Sequence, residues 1–389
     1  MSAAVERLRP CDAPEALDFL NMVFSMARVP HDFSQMLPKM WENDGESMTR
    51  HFAIREDGRI RALVGTYPLP VTIAGERLVF STMGNVATHP HDSGKGYMNR
   101  LVQTAMQELR DVGVDAIRLG GLRQRYARFG FEPTGMQYHF SLTAHNLERY
   151  YKGTFSSGIR FEPLRSEDTE SVAWAKSLHE TGRVWVDRLH NTGFYDSLTA
   201  WRNQPFLALR DGERVGYLTA GADKSGVSEF HALSAELEVE LLCAWLSQNA
   251  LQRLSFTVEP WQTALSRLLE PLCEGWSISS PSHFCILHWD RVVNALLRLK
   301  AEIAPLLPGS VTLGIKGWGT LRLCVDADGA HCERTGDSAD FSFTHAQASR
   351  LFFGPLPAVS ACDLGTSHTA ALLQAWLPLP LSWNTLDRV

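Results

Sequence analysis

The sequence predicts a mixed α/β (α+β) fold, two related units followed by a smaller α+β domain, and three observations lead there. The chain has 389 residues, more than one hydrophobic core usually organises. A strand, helix and hairpin follow one another near the N-terminus, and the same order returns after residue 155. Beyond Asp290 the texture changes to an apolar helix and short alternating strands.

Val5 to Leu8 reads as a short strand, and Asp12 to Phe24 as a helix because Ala16, Leu17, Leu20, Val23 and Phe24 recur at helical spacing. Val29 to Thr49 is irregular, with Pro30, His31, Asp32, Trp41 and Glu42, and predicts loop and short helix able to cover a site. His51 to Gly65 reads as two strands joined at Asp57-Gly58, a dipeptide suited to the left-handed conformations of a tight hairpin. A further strand spans about Arg77 to Val86. In the second round, Arg160 to Leu164 is the strand, Asp168 to His179 the helix, and Pro205 to Leu218 the hairpin, turning at Asp211-Gly212. This round has no glycine-rich turn between strand and helix, so it predicts scaffold and cleft wall without a phosphate site. Val292, Val293, Leu296, Leu297 and Leu299 then mark a helix that stops before Pro305 and Pro308-Gly309. Strands follow around Val311 to Ile315, Leu321 to Val325 and Phe341 to Phe343, a helix from Thr344 to Phe353, and a proline-rich tail from Leu377.

Composition excludes several classes. Apolar residues are 44% of the chain and charged residues 21%, as in ordinary globular proteins. No apolar run approaches the roughly 18 to 20 residues of a membrane span, and Glu6 and Arg7 stand where a secretory signal would be apolar, so a cytoplasmic protein is expected. The seven cysteines are scattered without a C-x-x-C pair, which predicts reduced, packed thiols and no metal. Cys324 and Cys332 merely flank a hairpin at Asp326 to Gly329. A net charge of -6 argues against nucleic acid and suits a cationic partner.

The informative stretch runs from Gly84 to Met98, where a strand enters a short loop with Gly94 and Gly96 and a helix follows with Met98, Leu101, Val102, Ala105, Met106 and Leu109 on one face. Such a turn directs backbone N–H groups and the positive helix end toward an anion such as a pyrophosphate. Lys95 can add charge or point to solvent. A P-loop would need glycine where His89 stands and Ser or Thr where Gly96 stands; a dinucleotide fingerprint would need a small residue where Asn99 stands. A structural glycine turn before a core helix remains the plain alternative. Farther on, Gly113 ends the helix, Val114 to Leu119 reads as a strand, and Gly120 to Pro133 contains Tyr126 ahead of Phe129-Gly130-Phe131.

Together these segments resemble the GNAT N-acetyltransferase superfamily, whose Gln/Arg-x-x-Gly-x-Gly/Ala pattern falls on His91, Gly94 and Gly96, with His91 in place of the usual Gln or Arg and Ser93 where arginine is common. The whole layout is similar to acetyltransferases of the Eis (enhanced intracellular survival) type. That resemblance implies two tandem GNAT-like units with mixed central sheets plus a C-terminal sterol-carrier-like α+β domain, here residues 1–152, 153–289 and 290–389. It implies acetyl-CoA as co-substrate, held by Val86, Ala87, Thr88, His91, Ser93, Gly94, Lys95, Gly96, Tyr97 and Met98. It also implies a primary amine acceptor such as an aminoglycoside or lysine, a hexamer, Tyr126 as general acid, and the carboxylate of Val389 as base at the active site. Arg118, Arg123, Arg125 and Arg128 are candidates for the CoA 3′-phosphate or a solvated face, and His31, His89 and His91 are alternative bases or surface residues. The competing class is an acyl-CoA or lipid-sensing protein without transferase activity; it has no use for Tyr126 or a free C-terminus.

Overall fold

The computed structural model describes residues 4–27, 29–41 and 46–389; residues 42–45 of the irregular segment lie outside them. The first unit comprises β1 (Val5–Arg7), α1 (Ala13–Ala27), α2 (Phe33–Met36), β2 (His51–Glu56), β3 (Arg59–Ile73), β4 (Glu76–Thr88), α3 (Tyr97–Asp111), β5 (Ala116–Leu119), α4 (Arg123–Tyr126) and β6 (Glu132–Thr134). β7 (Gln137–Thr143), α5 (Ala144–Tyr150), β8 (Ile159–Pro163), α6 (Thr169–His179), β9 (Val184–Val186), α7 (His190–Thr199), β10 (Gln204–Arg210), β11 (Glu213–Ala220), β12 (Gly226–Ala232), α8 (Ala235–Gln248), β13 (Arg253–Val258), α9 (Thr263–Leu269), β14 (Gly275–Ser279) and β15 (Ser282–Ile286) follow. The last part holds α10 (Trp289–Ile303), β16 (Gly309–Ile315), β17 (Gly319–Asp326), β18 (Gly329–Thr335), β19 (Phe341–Phe343), α11 (His345–Phe353), α12 (Ala358–Ala361) and α13 (His368–Trp376). The mixed α/β class read from the sequence is the class observed.

The first sheet has the order β1-β2-β3-β4-β5-β15-β6 with β9 added beside β3, and the second the order β14-β7-β13-β12-β11-β10-β8. The two are the same arrangement: four antiparallel neighbours, a parallel pair (β4 with β5, β12 with β13), then an antiparallel strand. In each sheet that sixth strand comes from the other half of the chain. β7 (residues 137–143) joins the second sheet, and β15 (residues 282–286) returns to the first between β5 and β6, so each sheet takes in a strand from the other half of the chain. A third sheet, β18-β17-β16-β19, packs with α10, α11 and α13 around Trp289, Trp376, Phe352 and Phe353, all fully buried.

Local chemistry explains the elements that frame the cleft. α3 buries Leu101, Val102, Ala105, Met106 and Leu109 on the stripe expected from the sequence. All four residues of β5 are buried, as suits a strand with neighbours on both sides. β3 runs to Ile73, past the Gly65 end of the hairpin, despite Pro68 and Pro70. The prolines are tolerated because β2 pairs with β3 only as far as Gly65 and β9 only from Val71, so one side of this stretch offers no strand for a missing N–H to bond.

The tail from Leu377 is wedged among all three parts. Trp383 stacks on Phe80 at 5.7 Å and 13°, and its Nε1–H donates to the Asp387 carbonyl at 3.1 Å. The Thr82 hydroxyl donates to the same carbonyl at 3.3 Å, and Lys39 Nζ donates to the carbonyl of Leu386. The Asp387 carboxylate accepts from Arg188 at 2.8 and 3.0 Å, and Arg188 donates with its other face to Glu229, which also accepts from the Tyr217 hydroxyl at 2.9 Å. All three charged side chains of this network are nearly inaccessible, at 1–3% exposure. Replacing the cation alone would leave two buried carboxylates facing each other. Arg188→Met is therefore expected to lower unfolding free energy by roughly 3–5 kcal/mol in denaturant titration.

Candidate active site

β4 and β5 pair only from Phe80 opposite Ala116 to Met83 opposite Leu119, yet β4 continues to Thr88. β5 ends at Leu119, so beyond Met83 β4 runs on without its parallel neighbour, and the cleft lies beside that stretch. On its other side, β4 loses register with β3 between Leu63 and Gly65, and Asn85 takes φ 54° in the bulge. A buried polar cluster holds that shape: Asn85 Nδ2 donates to the Tyr67 hydroxyl oxygen at 3.0 Å and to His51 Nε2 at 3.1 Å. The Tyr67 hydroxyl donates to His51 Nε2 at 2.6 Å, while His51 Nδ1 donates to the Ser47 carbonyl at 3.1 Å. Burial pushes the His51 imidazole down to about 4, which keeps it neutral and able to accept both bonds.

The cleft has a volume of about 570 Å³ and is lined by Val86, Ala87 and Thr88 of β4, by Ser93, Gly94 and Gly96 of the loop, by Tyr97 and Met98 of α3, and by Tyr126. Gly94 and Gly96 have φ of 87° and 78°, and a Cβ built on either meets no atom within 4 Å. The loop thus bends through left-handed conformations and keeps open space on its ligand side. The first N–H groups of α3 face that space without intrahelical partners. These residues fit an anionic pyrophosphate: the donors are main-chain amides and the helix end is positive.

Two predicted members lie elsewhere. Lys95 binds Glu56 and Asp92, each at 2.8 Å, and these carboxylates raise its pKa further. His91 is exposed, stacked at 5.3 Å on His89, and outside the cleft lining. The loop is anchored by buried Asp92, which accepts from Arg61 Nε at 2.5 Å as well as from Lys95. The sequence offered a signal for Asp92, an acid three residues before a lysine in a tight turn, but the partner Arg61 lies on another strand. Arg125, Arg128 and Asn99 also line the cleft, with Val23 and Phe24 of α1. Arg118 is instead buried, donating to Ser282 at 2.5 Å, and Arg123 pairs with Glu132 at 3.1 Å. His31 bonds the Val29 carbonyl at 2.6 Å.

Tyr126 is 5% exposed and packs edge-on against Phe131 at 6.3 Å. Burial raises its phenol pKa, so it is a protonated donor at neutral pH. Val389 reaches β4 at Gly84, two residues before the cleft lining begins. A Cβ on Gly84 would lie 2.6 Å from Val389 Cγ2 and 3.0 Å from its carboxyl carbon and oxygen, so only glycine admits the terminus here.

Residues 4–134 match the model of the acetyltransferase (GNAT) domain. They form a GNAT acetyltransferase domain. The chain is thus an enzyme of the N-acetyltransferase class, and domains of this kind use acyl-CoA. No curated protein matches the sequence. Among solved structures, an Enterococcus faecalis protein described as a probable N-acyltransferase has TM-score 0.69 at 15% identity over 98% of both chains. A GCN5-related N-acetyltransferase of Kribbella flavida has TM-score 0.67 at 16% identity, covering 97% of this chain and 98% of its own. Eis1 of Mycobacterium abscessus has TM-score 0.66 at 14% identity over 98% of both. At such identities the likeness is one of fold, and it extends over all three parts of the chain. No helix among the described residues is long and apolar enough to cross a membrane.

In the GNAT domain the glycines of the loop are the sharpest test of the cleft. A valine at Gly94 or Gly96 must adopt a left-handed conformation costing roughly 1–2 kcal/mol and would fill the open side of the loop. Gly94→Val and Gly96→Val are expected to remain folded by circular dichroism and to lose acetyl-CoA binding in calorimetry.

Proposed function

We propose that the chain transfers the acetyl group of acetyl-CoA to a primary amine, such as an aminoglycoside or lysine, by direct attack of the neutral amine on the thioester. The main-chain amides of residues 86–88 polarise the thioester carbonyl, the loop and α3 hold the pyrophosphate, and Tyr126 protonates the departing thiolate. The carboxylate of Val389 orients the acceptor ammonium and receives its proton, directly or through water. An ordinary α-carboxyl is too acidic for an efficient base, so its anionic character matters more than its basicity. The carrying observation is one cleft at the end of β4, lined by the buried phenol of Tyr126 and by the open glycine cradle, with Val389 seated on Gly84 two residues before the lining begins. A sensor that performs no transfer would need only the cradle.

The C-terminal part, read as sterol-carrier-like, serves in this proposal as the scaffold that delivers the tail. Its interior is filled by Trp289, Trp376, Phe352 and Phe353, which favours packing over lipid carriage. The second unit is proposed to bind no CoA, because β12 enters α8 through the Ser234 cap without a glycine cradle. A cytoplasmic hexamer completes the proposal; β14 is an edge strand with Trp276 59% and Ile278 43% exposed, a surface suited to a second copy.

The test is kinetic. Tyr126→Phe is expected to lower kcat by about a hundredfold or more with little change in acetyl-CoA affinity. Gly84→Ala, which adds one methyl against the terminus, and an extension beyond Val389 should lower kcat in the same way. Wild-type turnover of a panel of amines by the extended chain would remove Val389 from the mechanism, and absence of thiol release with every amine would favour the sensor.

A further inference from the structure

The second unit repeats the parallel pair of the first. β12 and β13 pair only at Gly226 with Ser255 and Val227 with Phe256, then diverge, and α8 follows β12 as α3 follows β4. A cavity of about 560 Å³ fills the opening, closed by β9, α10 and the tail. Its chemistry is the reverse of the first cleft. Where the first has glycines and free amides, this one has Glu229, Glu238 and Glu259, with Asp387 beside them. The basic side chains of its lining, Arg183 and Arg267, are exposed at the mouth, and Arg183 is paired with Glu302 at 3.3 Å.

One buried group inside lacks its partner. His179 is 7% exposed, and its Nε2–H donates to the Val186 carbonyl at 3.1 Å, which leaves the Nδ1 lone pair as acceptor. No donor reaches Nδ1, and Oε1 of Glu229 lies 3.9 Å from it. That oxygen already accepts from Arg188 and Tyr217, so the acceptor left unmet here is Nδ1. Oε2 of Glu259 has no hydrogen-bond partner either. Burial, with the Arg188 guanidinium adding to it, pushes His179 down to about 4, and burial raises the Glu238 and Glu259 carboxyls to about 7. The opposite wall carries Val71, Ile73, Phe80, Trp261 and Trp383.

We propose that this cleft is a second ligand site, which takes an organic ammonium on a compact apolar body, its N–H groups bridging His179 Nδ1 and the Glu229 carboxylate. His179, Glu229 and His231 also lie close enough to hold a metal ion, with ligand atoms within 4.8 Å of one another. The ammonium is favoured because both Glu229 oxygens already accept from Arg188, beside which a dication would be strongly repelled, whereas an ammonium supplies the donor that Nδ1 lacks and its alkyl part suits the aromatic wall. The inference does not rest on the proposed transfer reaction, so its failure and the failure of that reading are separable.

The experiment titrates the full chain, saturated with CoA, with cadaverine, pentylamine and pentanol in a calorimeter. Cadaverine and pentylamine are expected to bind at this site and pentanol not to bind. His179→Phe and Glu238→Gln should each weaken that binding about tenfold or more, while acetyl-CoA affinity and the turnover of amines stay at wild-type values. Glu238→Gln carries the test if His179→Phe does not fold. Unchanged amine binding in the folded variants, pentanol binding as tight as pentylamine, or stoichiometric Zn²⁺ binding that His179→Phe abolishes and cadaverine does not displace would each overturn the proposal.

Discussion

The structure turns on the buried guanidinium of Arg188. It joins Glu229 of the second sheet to Asp387 of the tail, and both carboxylates are almost wholly withdrawn from water. Burial alone would force the Glu229 carboxyl to hold its proton; the guanidinium reverses this and keeps it well below its usual range. Geometry follows from the same pairing, because the fork of Arg188 meets each carboxylate at two points and fixes direction as well as distance. The tail can therefore approach β4 along one path, and Val389 arrives at Gly84.

The exchange of β7 and β15 makes that precision possible. A strand donated by each half to the other sheet forbids the two units from moving as separate bodies, since separation would break a sheet on both sides. The cleft between β4 and β5 is thereby framed by a sheet whose far edge is supplied by residues 282–286, and Arg118 on β5 is held by Ser282 of that strand. The tail, the second sheet and the cleft behave as one unit, although they are far apart in sequence.

What the sequence revealed follows from how local each feature is. The helix stripe of α3, the hairpin turns at Asp57-Gly58 and Asp211-Gly212, the glycines at 94 and 96 and the approach of Tyr126 to Phe131 are written within about twenty residues of each other or less, and each is observed close to its expected place. Two features were illegible because their partners are remote. The strand exchange pairs Cys285 with Ile117, and nothing in the pattern of either strand selects the other over its own unit. Lys95 has the composition of a phosphate ligand, but Glu56 lies 39 residues earlier and Asp92 is buried beneath it, so the lysine serves the loop. The second cleft was invisible for a related reason: absence of glycines told that the phosphate cradle was gone, not that acids had replaced it.

The distribution of protons around the first cleft narrows the chemistry. His51 is the one imidazole in the bulge, yet it is neutral, fully buried and already accepts from Tyr67 and Asn85, so it holds the backbone and cannot take a proton without breaking both bonds. His89 is pushed down chiefly by burial, with Arg61 adding to it, and accepts from the His91 amide at 3.3 Å. A base drawn from these rings would have to give up bonds that shape the loop. Tyr126 has no such duty: its raised pKa keeps it a donor throughout the neutral range, which in the proposed reaction matches a thiolate that needs a proton as it leaves. The opposite demand of the proposed reaction, removal of a proton from the acceptor ammonium so that the neutral amine can attack, needs an anion near β4 whose loss would not unfold the bulge. The end of a chain is well suited to that role, because its carboxylate can be positioned by the residues before it and leaves the cleft's own hydrogen bonds intact.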